Sequence, residues 1–143
     1  MKTLKSMMIG AALLAVCGAA NAATTTKGGV PLTEDYAITT YVNATTKGDL
    51  NGINTVLDEN VKFSLLENKQ VVSYSKKDML DYLEQNKGVT QDCITSTSVV
   101  ENNPDNSVVE VDMQYADHVR ANYVTMVNTD GGWKITDVYS IFK

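Results

Sequence analysis

Histidine and arginine occur once each in this 143-residue chain, as His118 and Arg120, and cysteine and proline twice each. Each scarcity removes a class of function. One histidine cannot furnish an imidazole cage, so any metal site would have to use carboxylates. Glu110 and Asp112 are the nearest to a pair, two apart on one strand face, where a solvated face is the expected reading and a calcium site the alternative. A single arginine, with lysines scattered singly apart from Lys76-Lys77, gives no basic stripe for phosphates, and nucleic acid is not an expected partner. There is no glycine-rich phosphate loop, nucleophile elbow or His-Glu-x-x-His element. The longest apolar run, Met7 to Val16, is about ten residues and too short to span a bilayer as a stable helix.

What is present begins with an address. Lys2 and Lys5 make a positive start, the apolar run follows, and Ala20-Asn21-Ala22 is a small-x-small cleavage site. Residues 1–22 are therefore expected to be a secretory signal peptide, placing the mature chain outside the cytoplasm as a secreted or periplasmic protein. Leu14-Ala15-Val16-Cys17 loosely resembles a lipobox, and acylation of Cys17 is the alternative, with Val16 a poor fit just before that cysteine. Cleavage removes two positive charges and no acidic ones, taking the net charge from −5 to −7. It also removes Cys17, so Cys93 is left alone, no intrachain disulfide forms, and packing must supply the stability. A mature chain of about 120 residues buries roughly two-thirds of its unfolded surface, enough for a core without staples.

Residues 23–31 are small, polar and glycine-bearing, a lead-in to one domain over 32–143. Thr33 is positioned to cap a helix with Glu34 and Asp35 in its first turn, an apolar stripe of Ala37, Ile38, Tyr41 and Val42, and Gly48 at its end. Asp49 is expected to cap a shorter helix whose Leu50, Ile53 and Leu57 face one way, broken by Asp58-Glu59-Asn60. Val61, Phe63 and Leu65 then alternate as a strand, Glu67-Asn68-Lys69 turns, and Val71 to Tyr74 pairs back. Ser75 with Asp78 resembles a capping box for a third helix of about twelve residues, carrying Met79, Leu80 and Leu83 and closed by Gly88.

From there the chain reads as strand: Gln91 to Glu101, Val108 to Tyr115, Val119 to Asn128 and Trp133 to Phe142. Val109, Val111, Met113 and Tyr115 share one face of the second of these, with Glu110, Asp112 and Gln114 on a wet face. Asp130-Gly131 is expected to supply the positive φ angles of a tight hairpin turn. Helices first and antiparallel strands afterwards predict an α+β domain with helices on one face of the sheet. The closing hairpin is apolar on both faces, with Ala121, Tyr123 and Val127 set against Val124 and Met126, then Ile135 and Ile141 against Val138 and Phe142. Strands that fail to alternate are covered twice, which predicts a homodimer through the outer sheet face.

The stretch from Ala37 to Gly48-Asp49-Leu50, then Leu57 to Phe63, Ser75 to Leu83, and Tyr123 through Gly131-Gly132-Trp133-Lys134-Ile135 resembles the nuclear transport factor two-like superfamily. Within it the chain is most similar to the secreted bacterial group labelled "putative lumazine-binding". The resemblance covers about residues 34 to 142 and implies a curved sheet wrapped as a cone around three helices, a pocket at the open end, and frequent dimers. It does not specify chemistry, because this fold hosts isomerases, dehydratases, transport factors and binding modules. Where ketosteroid isomerases of the superfamily carry a catalytic Asp on the first strand, this chain has Phe63, and a phenyl ring abstracts no proton.

Candidate site residues are therefore aromatic. Tyr41, Phe63, Tyr82, Tyr115, Trp133 and Tyr139 are candidates to line a ligand cavity, each with core packing as the alternative. Arg120 and Asn122 share a strand face; aimed into the cone, Arg120 would anchor an anionic ligand, and aimed outward it would be a surface or interface charge. His118 is read as a solvent-exposed turn residue and Cys93 as a small apolar one. No catalytic residue, metal or cofactor is assigned. The expected function is a binding or dimeric interaction module for a small apolar or aromatic ligand, and the alternative is a cofactor-free lyase or isomerase using pocket Tyr and Asp residues such as Asp137.

Overall fold

A computed structural model describes residues 31–143. The segment expected to be a leader, with its expected cleavage site and Cys17, lies outside the described residues. The chain runs α1 (Glu34–Lys47), α2 (Ile53–Val56), β1 (Leu57–Glu67), β2 (Gln70–Tyr74), α3 (Lys76–Gln85), β3 (Ile94–Asn102), β4 (Asn106–Gln114), β5 (Val119–Thr129) and β6 (Gly132–Phe142). The strands form one curved, unclosed sheet in the order β2-β1-β6-β5-β4-β3. Every neighbouring pair is antiparallel except β1 with β6. This is an α+β domain, as the order of elements predicts.

Thr33 caps α1 by accepting from the Tyr36 amide, and Gly48 ends it in the left-handed region at φ 65°. Ser75 and Asp78 form a complete capping box on α3, each side chain accepting from the other's backbone N–H. That helix is ten residues long, stopping at Asn86 ahead of Gly88. The β1–β2 turn places Asn68 and Lys69 at φ 51° and 64°, the positive pair that a two-residue hairpin of this twist requires.

Four expectations fail, each for a local reason. Asp49 does not cap α2: its carboxylate accepts from the Asn51 amide and side chain, while Gly52 stands at the cap with no side-chain bond. Leu57 belongs to β1, which starts four residues before Val61, because Leu57 pairs with Ile135 of the parallel neighbour. β3 begins at Ile94, not Gln91, since the Gln91 amide donates to Thr46 O and the Cys93 amide to Gln91 O, leaving neither for the ladder. In the last hairpin the positive φ lies at Gly132 (99°), not at Asp130 or Gly131; Thr129 Oγ1 holds the turn by accepting from Gly131 N–H and donating to Gly132 O.

The core lies between the helices and the concave side of the sheet. Ala37, Tyr41 and Ala44 of α1, Ile53 and Val56 of α2, and Leu83 of α3 pack on Leu57, Phe63, Val109, Val111, Met113, Val124, Met126, Ile135 and Val138. A register shift between Thr125 and Met126 turns Ile135 inward beside Met126, so it joins Val138 on the concave face and not Ile141 on the convex one. The convex face of β4 to β6 remains partly apolar, with Val108, Tyr123, Val127, Tyr139 and Ile141 half-buried. β3, at the sheet edge, is exposed along its whole length.

Candidate ligand cavity

The concave face carries its own residue ladder. Register places Arg120 opposite Phe142 and Met113, and Asn122 opposite Ser140 and Val111, so these side chains stand in line with Val124 and Val138, which are buried under the helices. Arg120 therefore looks into the cone. Asn122 is fully buried and fully used: its Nδ2 donates to Val111 O at 3.1 Å and Arg120 O at 3.5 Å, while Ser140 Oγ donates to its Oδ1 at 2.6 Å. The amide thus stitches β4, β5 and β6 directly behind Arg120. Asn122→Ala should cost about 2 kcal/mol, because Ser140 and two carbonyls lose a buried partner, and urea unfolding will read it.

Above this floor, α3 and the ends of β1, β2, β5 and β6 enclose a cavity of about 510 Å³. Phe63, Leu65 and Met79 form its apolar wall, and Ser64, Ser140 and Arg120 its polar part. Tyr74, Tyr82 and Phe142 stand at the mouth, 40%, 51% and 54% exposed, three large side chains left open to solvent around one opening. The carboxylates on the lining are Asp78 and Asp81, both on α3. Asp78 is committed to the Ser75 cap, whose bonds hold its carboxyl below the ordinary range, and Asp81 pairs with Lys77 at 2.5 Å.

Arg120 is the ionic group here without a partner. Among the described residues no carboxylate lies within 4.0 Å of its guanidinium, and its Nε is buried and unbonded. Its charge is nonetheless felt nearby: burial raises the phenols of Tyr41 and Tyr115, and Arg120 offsets part of that rise in both.

The candidates chosen from sequence divide. Phe63, Tyr82 and Arg120 meet in the cavity, and Asn122 lies one layer behind it. Tyr41 is in the core. Tyr115 bonds Gln91 and stacks on His118 at 4.7 Å, so His118 is half-covered rather than a free turn residue. Its ring also tilts toward Phe142, at 5.9 Å between centroids. Tyr139 and Asp137 pair opposite Tyr123 and Thr125 on the convex side. Trp133, a candidate for the cavity with core packing as the alternative, is part-buried and lies outside that cavity; it borders a second hollow of about 560 Å³ with Leu32 and Asn128, at the far end of the hairpin. Volume does not choose between the hollows, and chemistry does: the second is lined by no cation, its one ionic group being the carboxylate of Asp130, and by no aromatic ring beyond Trp133. Sequence reading missed Leu65, Tyr74, Met79, Ser140 and Phe142, whose signal is their position at the ends of elements that converge only through the β1–β6 parallel pairing.

Comparison with solved structures bears on the fold. An NTF2-like protein of unknown function from Silicibacter pomeroyi DSS-3 superposes with a TM-score of 0.64 at 17% identity, covering 76% of this chain and 92% of that one. A second, from Shewanella baltica OS155, gives 0.60 at 7% identity over 76% and 89%. An NTF2-like protein of unknown function in nutrient uptake from Rhodospirillum rubrum ATCC 11170 gives 0.56 at 18% over 76% and 97%. None of the curated proteins matches. A family model described as "Putative lumazine-binding" matches residues 35–140, and the chain belongs to that family, within the NTF2-like fold.

Proposed function

We propose that this chain is a non-enzymatic module that binds a small ligand in the cavity beneath α3, acting outside the cytoplasm as the leader at residues 1–22 suggests. The observation that carries the reading is the cavity's composition: an apolar wall, an aromatic mouth, and no carboxylate that is not already engaged. Proton abstraction needs a titratable group aimed at the substrate. Asp137, the candidate for such a role, sits on the convex side beside Lys62, where burial raises its carboxyl, so it supports no reaction in the cavity. Among the described residues no helix is long and apolar enough to cross a membrane. A thermal-shift screen with pterin-, flavin- and naphthalene-type compounds tests the reading. A ligand at a hundred times its Kd adds about 2.7 kcal/mol, and a screen with no stabilisation contradicts it.

The module works as a homodimer in this account, joined through the convex face. Half-buried Val108, Tyr123, Val127, Tyr139 and Ile141 support this, since antiparallel sheets facing water alternate. A monomeric mass in scattering at micromolar concentration would sink it. The same face holds Asp112, whose Oδ1 is buried without a partner. Burial and the adjacent Glu110 raise its carboxyl above the ordinary range, and Lys143 opposes this. The ionised form is therefore disfavoured in the fold relative to the unfolded chain; its cost is felt above the raised folded pKa and is relieved as pH falls through it. Asp112→Asn should raise Tm at about pH 7 and lose that advantage toward about pH 4, as paired thermal melts will show.

A further inference from the structure

We propose that the cavity takes a monoanionic aromatic acid, its carboxylate held by Arg120 and its ring lying between the Phe63–Met79 wall and the aromatic mouth. This rests on the reading of the cavity as a ligand site and adds its chemistry.

Three observations select this class. Arg120 is the only arginine in the chain, and it lines the cavity with a buried Nε that no group among the described residues accepts from. A buried N–H donor without an acceptor is costly, and a ligand carboxylate presents two oxygens to the guanidinium's fork of donors. Second, the cation stands alone. The lining holds no lysine, and two of the amides at the start of α3 are occupied by its own capping box, with Asp78 Oδ2 on the Ser75 N–H and Ser75 Oγ on the Asp78 N–H. A dianion such as phosphate finds one countercharge at the site, while Asp78 and Asp81 at the rim repel a second negative charge. Third, the remaining surface is flat and apolar, with Phe63 beneath and Tyr74, Tyr82 and Phe142 at the opening. The backbone that carries Arg120 is held from behind, because Asn122 accepts from Ser140 and donates to the Arg120 carbonyl.

The test uses three probes on the full mature chain: naphthalene-2-carboxylate, its uncharged counterpart naphthalene-2-methanol, and inorganic phosphate. Affinities are read by fluorescence or calorimetry, and the site by amide NMR shifts. The acid is expected to bind about tenfold or more tighter than the alcohol, to weaken with added salt while the alcohol does not, and to be undisturbed by phosphate. Arg120→Met should bring the acid down to the alcohol's affinity and leave the alcohol unchanged, which also shows that the variant is folded. Should that variant not fold, the salt dependence in the unaltered chain decides. Alcohol binding as tightly as acid overturns the anion preference, and phosphate displacing the acid overturns the choice of an aromatic monoanion; both leave the cavity reading standing. Failure of both aromatic probes to perturb Phe63, Met79 and Tyr82 overturns the cavity reading and this inference with it.

Discussion

Gly48→Ala is expected to destabilise the domain by about 3 kcal/mol, and Gly88→Ala by only about 1. Both glycines adopt positive φ, 65° and 75°, so both substitutions incur the left-handed penalty of an L side chain, about 1–2 kcal/mol. The difference is space. A Cβ on Gly48 would overlap the Gly88 amide nitrogen and stand 2.8 Å from both Asn86 O and Val89 N, all backbone, whereas one on Gly88 meets nothing within 4 Å. The two residues are in contact because α1 and α3 end against each other, with Gly88 N–H donating to Gly48 O at 3.0 Å and Gln91 N–H to Thr46 O at 2.7 Å. That junction sets the position of α3, which is one wall of the cavity. Urea midpoints at unchanged m-value measure the two losses, and equal losses would refute the close approach.

Lys76→Ala is expected to cost about 3 kcal/mol although lysine is ordinarily a surface residue. Lys76 is 8% exposed, and its ammonium donates to Asn54 O and Leu57 O, both at 3.1 Å, and to Glu59 Oε1 at 2.9 Å. The two carbonyls lie at the end of α2 and the start of β1, where helix geometry leaves acceptors without partners. Alanine would orphan them. Glu59 contributes little, because its side chain is 88% exposed and an ion pair in water is screened. Glu59→Ala should therefore cost less than about 1 kcal/mol. Were the two variants equally unstable, the ion pair and not the carbonyls would be the source.

The helix ends were readable because their signals are local: Thr33, Gly48, Ser75 and Asp78 each act within a few residues of their own position. Lys76 was not, since its two carbonyl acceptors are 19 and 22 residues away and nothing in Lys76-Lys77 separates a buried ammonium from an exposed one. The hairpin shows the same limit in another form. Alternation tells which residues share a face but not which face is covered, and with both faces apolar it left the direction of Arg120 open. Register with Ser140, Val111 and Val124 settles it. The shift at Thr125/Met126 defeated the placing of Ile135, because an irregularity of one residue reverses every side chain beyond it. Phe63 was legible as a wall residue, yet the rest of the cavity depends on β1 lying parallel to β6, a pairing of distant segments that no short stretch encodes.

The central claim is that the hollow beneath α3, and not the convex face or the hollow at Trp133, receives the ligand. Backbone amide shifts during titration with naphthalene-2-carboxylate test it most directly. Perturbations concentrated on Phe63, Leu65, Met79, Tyr82, Ser140 and Phe142 are the predicted result; shifts confined to Leu32, Asn128 and Trp133, or to Tyr123 and Tyr139 on the convex face, would contradict it.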